Sequence, residues 1–244
     1  MQTIVLGYSG GIQTAESSNT SLVVTSDSTS LLVDCSGSPC QALLSHSIDP
    51  DHVDGVLLTH AHVDHLYGLP SLLHNLWLRG RRKKLPILGS AATLETAKAL
   101  CGVFRLDKKQ ALRDILVWSD SIRRIGDIEI EAFSVFHRPL VPTQGYVFTQ
   151  GAEKISFFPD SAAQEPYPEC ARGSSLLIHE AGGLDVSREL LNGEGHSSAL
   201  DAARLAAALE AKELLLVHLP PGRGLQAEML AEARSIFPAS RLRS

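Results

Sequence analysis

Along the chain, short runs of leucine, isoleucine and valine alternate with longer stretches in which apolar residues return every three or four positions. The first pattern marks strands and the second amphipathic helices. Strands are predicted at 3–6, 21–25, 30–34, 55–59, 86–88, 128–133, 145–149, 154–158, 175–179 and 213–218. Helices are predicted at 39–47, 68–78, 91–100, 199–211 and 225–236. Loops rich in Gly, Pro, Ser or charge fall at 7–18, 80–84, 138–143, 182–195 and 220–224. Strands come first in succession and then mix with helices, which predicts helices packed outside two sheets in a layered α/β domain. No linker, repeat or low-complexity tract interrupts residues 1–244, which read as a single domain. The best-marked helix start is SALD at 198–201, a cap followed by an acid, and it places His196 just ahead of a helix N-terminus.

A composition of 44% hydrophobic and 20% charged residues is globular. No apolar run approaches the roughly 18 residues of a membrane span. The opening MQTIVLGYSGG lacks the basic and long apolar regions of a secretory signal, so a cytoplasmic location is expected. Cys35, Cys40, Cys101 and Cys170 form no CxxC pair and are expected to be buried thiols. A net charge of −5 argues against coating nucleic acid or anionic membranes by bulk charge, but it leaves room for a local basic patch. Arg79, Arg81, Arg82, Lys83 and Lys84 form the densest such run. It either draws in a phosphate-bearing substrate or is a solvated loop that complements a helix C-terminus.

The chemistry lies in the histidines. In THAHVDH, after the apolar run VDGVLL, four potential metal ligands fall within six positions: His60, His62, Asp64 and His65. Alternate side chains of an extended segment share a face, so His60 and His62 can converge on one ion. The turning chain aims Asp64 and His65 at a second. Imidazoles mixed with a carboxylate suit zinc, with manganese and iron as alternatives. Three further polar residues follow apolar strands: His137 after IEIEAFSVF, Asp160 after ISFFP and His218 after ELLLV. His46, His52 and His74 lack such partners and read as surface or capping residues. His179 points away from Glu180 if its strand is regular, and reads as structural.

The HAHVDH loop after a strand resembles the hallmark HxHxDH loop of the metallo-β-lactamase superfamily. HLYGLPSLL, HEAGG, GHSSALDAA and ELLLVHLPP continue the resemblance along most of the chain, toward the ribonuclease Z-like branch. The resemblance implies a four-layer αββα sandwich and two divalent metal ions. It assigns His60, His62 and His137 to one metal, Asp64, His65 and His218 to the other, and Asp160 to a bridge between them. It places Asp64, His196 and Glu180 in the catalytic set, with His196 facing the scissile group and Glu180 orienting it. Two cations about 3.5–4 Å apart lower the pKa of a water held between them and neutralise charge on a phosphoryl or carbonyl oxygen, so hydrolysis is the expected reaction.

A small phosphodiester or cyclic nucleotide is the leading substrate. The tRNA-processing members of the branch carry a protruding arm, and no insertion here is large enough to form one. A tRNA 3′-end endonuclease is therefore the alternative reading, followed by a carboxylic ester or lactone hydrolase and a non-catalytic metal-binding protein. RNA is accordingly a secondary partner and no membrane partner is expected. Dimers are common in such families, although no stripe in this sequence marks a homodimer interface.

Overall fold

The structure is a computed structural model that describes residues 1–138 and 141–243. Thirteen strands are found among the described residues: β1 (Gln2–Gly7), β2 (Ser21–Thr25), β3 (Ser30–Val33), β4 (Gly55–Leu57), β5 (Leu85–Leu88), β6 (Leu116–Ser119), β7 (Arg124–Ile125), β8 (Ile128–Arg138), β9 (Val141–Gln150), β10 (Glu153–Phe158), β11 (Leu176–Glu180), β12 (Leu214–Val217) and β13 (Ser240–Arg241). The helices are α1 (Pro39–Ser45), α2 (Val63–Leu66), α3 (Leu69–Leu78), α4 (Ala91–Val103), α5 (Gln110–Ile115), α6 (Arg188–Gly193), α7 (Ala199–Ala208) and α8 (Arg223–Ile236). The strands form two mixed sheets, ordered β1-β2-β3-β4-β5-β6 and β13-β12-β11-β10-β9-β8-β7.

The period of two along the strands sorts side chains into layers. Leu22, Val24, Leu31, Val33 and Leu57 of the first sheet meet Phe148, Phe157, Ile178, Leu215 and Val217 of the second in one core between the sheets. Their neighbours Val23, Leu32 and Val56 turn outward to Leu69, Leu72, Leu76 and Leu94 of α3 and α4. On the far side Leu177, Leu214 and Leu216 pack against Ala202, Leu205 and Met229 of α7 and α8. The result is the αββα order of layers. Strands buried on both faces explain the unbroken apolar runs at 214–217 and 55–58.

Several boundaries differ from the sequence expectation. Strands β8 and β9 reach Arg138 and begin at Val141, where a loop over 138–143 is expected; Pro139 and Leu140 lie outside the described residues. Their outer stretches alternate exposed and buried residues, a weaker signal than a solid apolar run. A helix, α6, interrupts the expected loop at 182–195, and β6, β7, β13 and α5 are short elements with too few residues to show a period. Cys35 and Cys101 are buried thiols as expected, whereas Cys40 and Cys170 are only half-buried.

The basic run after α3 also takes a definite form. Arg81 is buried, and its guanidinium donates to the carbonyls of Pro50, Asp51, Val53, Lys83 and Lys84. Arg79 pairs with Asp49 and Asp51, and Lys83 with Asp54. Much of the run is thus a latch on the segment leading into β4. Arg81→Met should lower unfolding stability by roughly 2–4 kcal/mol, because it strands several buried carbonyls. The exposed Arg82→Met should stay within about 0.5 kcal/mol. Urea unfolding of the two variants checks this, and equal midpoints would refute the latch.

Candidate metal centre

Within the first sheet β3 and β4 run parallel, and within the second β10, β11 and β12 do so. Strand β8 returns antiparallel to β9, which is antiparallel to β10, so β8 shares the direction of β10. The C-terminal ends of these strands gather at one rim, the place where α/β sheets seat their ligands. Asp34 follows β3, His60 follows β4, His137 is the second-to-last residue of β8, Asp160 follows β10, Glu180 ends β11 and His218 follows β12. His62 caps the N-terminus of α2, whose single turn carries Asp64 and His65.

Two groups of donor atoms result. In the first, His62 Nδ1 lies 3.0 Å from both His60 Nε2 and His137 Nε2, with Asp160 Oδ2 at 3.8 and 3.9 Å from the latter two. In the second, Asp160 Oδ1 lies 3.3 Å from His65 Nε2 and from His218 Nε2, and Asp64 Oδ2 lies 3.5 and 3.6 Å from the same atoms. The two oxygens of Asp160 thus face one group each.

The ring tautomers follow from the other nitrogens. Asp34 can only accept, so His65 Nδ1 donates to it at 2.7 Å. Thr59 donates its hydroxyl to the same Asp34 carboxylate at 2.9 Å, which leaves its oxygen to accept from His60 Nδ1 at 3.0 Å. His137 Nδ1 donates to the Gly195 carbonyl at 2.8 Å. All three rings therefore turn Nε2 toward the cluster. Burial pushes the His137 pKa down to about 4 and that of His60 well below the usual range, which keeps these rings neutral. His65 Nε2, His218 Nε2 and Asp160 Oδ1 are buried and make no hydrogen bond. Buried polar atoms that converge without hydrogen-bond partners fit a site for divalent cations, and the His and carboxylate donor set suits such ions.

Beside the two groups, His196 Nδ1 donates to Glu180 Oε1 at 2.9 Å. The same oxygen accepts from the Ser161 N–H at 2.7 Å. The His196 ring lies 4.9 Å from that of His137 and 5.7 Å from that of His218, so it stands between the clusters. Burial disfavours its charge, but the hydrogen bond and charge of Glu180, with Asp160 behind, raise its pKa to about 9. The capping box of Ser198 and Asp201 fixes the start of α7 just beyond it. Gly195 is required here: its φ of +77° and a Cβ position 2.0 Å from the His137 carbonyl oxygen exclude any side chain.

All nine residues named from the sequence are brought to this rim. Asp34, which orients His65 and Thr59, is missing from that reading; its signal was the same one that picked out Asp160, a lone carboxylate after an apolar strand. His179 faces the other side of β11, buried and stacked 5.3 Å from Phe158. His46 follows the end of α1, His52 lies in a short turn and His74 on α3, all outside the donor groups. The glycine-rich segment near the start reaches the rim, with Gly10 and Gly11 against His218 and Asp64.

Similar proteins place this arrangement. A family model described as "Beta-lactamase superfamily domain" matches residues 29–219. A ribonuclease Z of Bradyrhizobium sp. strain ORS 278 is 26% identical over 293 aligned positions, covering 100% of this chain and 97% of the relative. The probable metallo-hydrolase YhfI of Bacillus subtilis is 28% identical over 243 positions, covering 97% and 94%. The crystal structure of YhfI superposes with a TM-score of 0.85 at 24% identity over 99% of this chain and 95% of the other. A diphosphatase of the PhnP family gives 0.74 at 18% identity over 99% and 93%. No helix among the described residues is long and apolar enough to cross a membrane. Because the matched span runs from just before β3 to just past His218, it takes in every strand end that feeds the rim, and the chain belongs to the beta-lactamase superfamily.

Proposed function

We propose that the chain is a cytoplasmic metal-dependent phosphodiesterase, working as one domain of 244 residues on a small phosphodiester or a cyclic nucleotide. The observation that carries this reading is the seat of His196. An imidazole held by a buried carboxylate between two donor groups is placed to protonate an alkoxide leaving group, which phosphodiester cleavage requires and cleavage of an activated ester does not. His60, His62 and His137 would hold one ion, Asp64, His65 and His218 the other, and Asp160 both, with zinc the first choice and manganese or iron the alternatives. Two bound divalent ions supply an activated water at neutral pH and neutralise charge on the phosphoryl oxygens.

The protein's own part is orientation and proton handling. Asp34, Thr59 and the Gly195 carbonyl fix three imidazoles in the tautomer that leaves Nε2 free to bind, an outer-layer role that strengthens donors. Glu180 accepts the hydrogen bond from His196 Nδ1–H, which leaves Nε2–H as the proton that would be delivered to the leaving oxygen. The Ser161 N–H holds Glu180 in place and satisfies part of its charge.

Ribonuclease Z activity is the second reading, favoured by a relative of that name along the whole chain. Size weighs against it. Alignment with that ribonuclease needs 293 positions against 244 residues here, whereas alignment with YhfI needs 243. The basic run at 79–84 is also largely committed to internal partners, which removes the strongest cationic tract as an RNA contact.

Hydrolysis of bis(4-nitrophenyl) phosphate beside 4-nitrophenyl acetate, with metal analysis, tests the reading directly. Asp160→Ala should lose bound metal and phosphodiester turnover together. His196→Ala should keep its metal yet lose about 10²–10⁴-fold in turnover of an alkyl phosphodiester, whose leaving group is poor, and much less with bis(4-nitrophenyl) phosphate. Ester turnover alone would move the chain to the esterase readings. Asp34→Ala should weaken metal affinity by about 10–100-fold, measured by competition with a chelator; unchanged affinity would deny Asp34 its orienting role.

The acid must be protonated to act, so turnover should fall as pH rises through the His196 pKa. Glu180 raises that pKa against the effect of burial, and Glu180→Gln should therefore move the alkaline limb to lower pH by at least about one pH unit. A limb that stays in place under this substitution would break the pairing.

A further inference from the structure

A cavity of about 220 Å³ opens beside His196 and His218 at the rim. Its walls are Ile12, Leu191, Leu219, Pro220 and Pro221, and among the described residues no Lys, Arg, Asp or Glu side chain lines it. Gly10, Gly11 and Gly182 leave the space free of side chains where it meets the two histidines. Several walls are tied by backbone bonds to the groups that matter. The His196 N–H donates to the Leu191 carbonyl at 2.8 Å. The Gly10 N–H donates to Leu219 O at 2.9 Å, and Leu219 N–H to Tyr8 O at 2.8 Å. The cavity is therefore preformed, and its Leu191 wall is fixed relative to the proton donor.

We infer that this cavity receives the leaving-group side of the substrate and selects an uncharged aromatic or similarly flat ring. The inference rests on the phosphodiesterase reading, because it takes the atom that His196 protonates as the oxygen of the departing alcohol. Whatever that oxygen carries must occupy the space next to the imidazole. The space offers apolar walls and, from side chains, only two imidazoles, so a ring buries apolar surface there while a polyol or an ionised group loses hydration without replacement. Size agrees: a cavity of about 150 Å³ accepts benzene, and drug-sized ligands need about 300 Å³ or more. A single ring system fits and a folded polynucleotide does not.

The test uses metal-loaded protein and two probes, 4-methylphenol and glycerol. Ligand-observed NMR should detect binding of 4-methylphenol and none of glycerol at equal concentration. In turnover, 4-methylphenol should compete with bis(4-nitrophenyl) phosphate and glycerol should not. Ile12→Asp changes an exposed side chain, 67% accessible, and so leaves the fold intact; Leu191→Asn changes an inner wall. Each should weaken 4-methylphenol binding and raise KM for bis(4-nitrophenyl) phosphate by roughly tenfold, with metal content unchanged. Equal effects of the two probes, or 4-methylphenol binding that neither substitution weakens, overturn the assignment. Ring binding that follows this pattern in a protein silent toward phosphodiesters supports the ring pocket and overturns the phosphodiesterase reading instead.

Discussion

A strand buried on both faces accommodates carboxylates and metal-binding side chains most readily where it leaves the sheet. That constraint organises the rest of the molecule. The core between the sheets and the two outer cores leave β3, β4, β10, β11 and β12 almost no solvent-facing side. Their C-terminal ends, all at one rim, are the nearest positions at which histidine and carboxylate can be accommodated, and the rim collects Asp34, His60, Asp160, Glu180 and His218. Parallel pairing brings residues from distant parts of the chain within bonding reach without any of them being close in sequence.

Concentrating them there is costly, and the cost is visible in the backbone and in the charges. Asp34 and His218 both adopt φ near +55°, a left-handed conformation that side chains with a Cβ resist by roughly 1–2 kcal/mol each. Burial disfavours ionised His65 and His218, yet Asp160 and the carboxylates beside them raise both pKa values above the ordinary range. A proton and a divalent cation therefore compete for the same nitrogens, so affinity for the ion weakens in acid. A packed sheet end that tolerates strain and crowded acceptors is stabilised most by what binds there, which couples folding stability to the occupancy of the site.

The legibility of this arrangement in the sequence depended on how locally each part is written. His60, His62, Asp64 and His65 occupy one short segment and announce themselves. His137, Asp160 and His218 are single residues after apolar strands, and resemblance was needed to choose them from other strand-end polar residues. Asp34 has an identical local signal and no neighbouring ligand, so nothing in the linear pattern separated it from a turn-forming aspartate. The strands read best where three or more apolar residues run together, as at 21–25 and 214–217, and worst at the edges, where β7 and β13 have two residues each. Arg81 shows the limit of charge counting. In sequence it is one cation in a run; in the fold it is a buried donor to five carbonyls.

The fate of those cations bears on what the rim attracts. Arg138, next to His137, pairs with Glu194, and Arg223, close after the proline wall, pairs with Glu16. With the run at 79–84 also engaged and the chain at −5 overall, side chains add little positive field around the mouth. On the proposed reading, attraction for an anionic substrate would come mainly from divalent ions bound at the clusters, acting over a few ångströms. On the same reading, such a short-range pull, joined to the apolar cavity beside His196, would favour a compact substrate with a single phosphate over a long polyanion, whose binding depends on many separated cationic contacts.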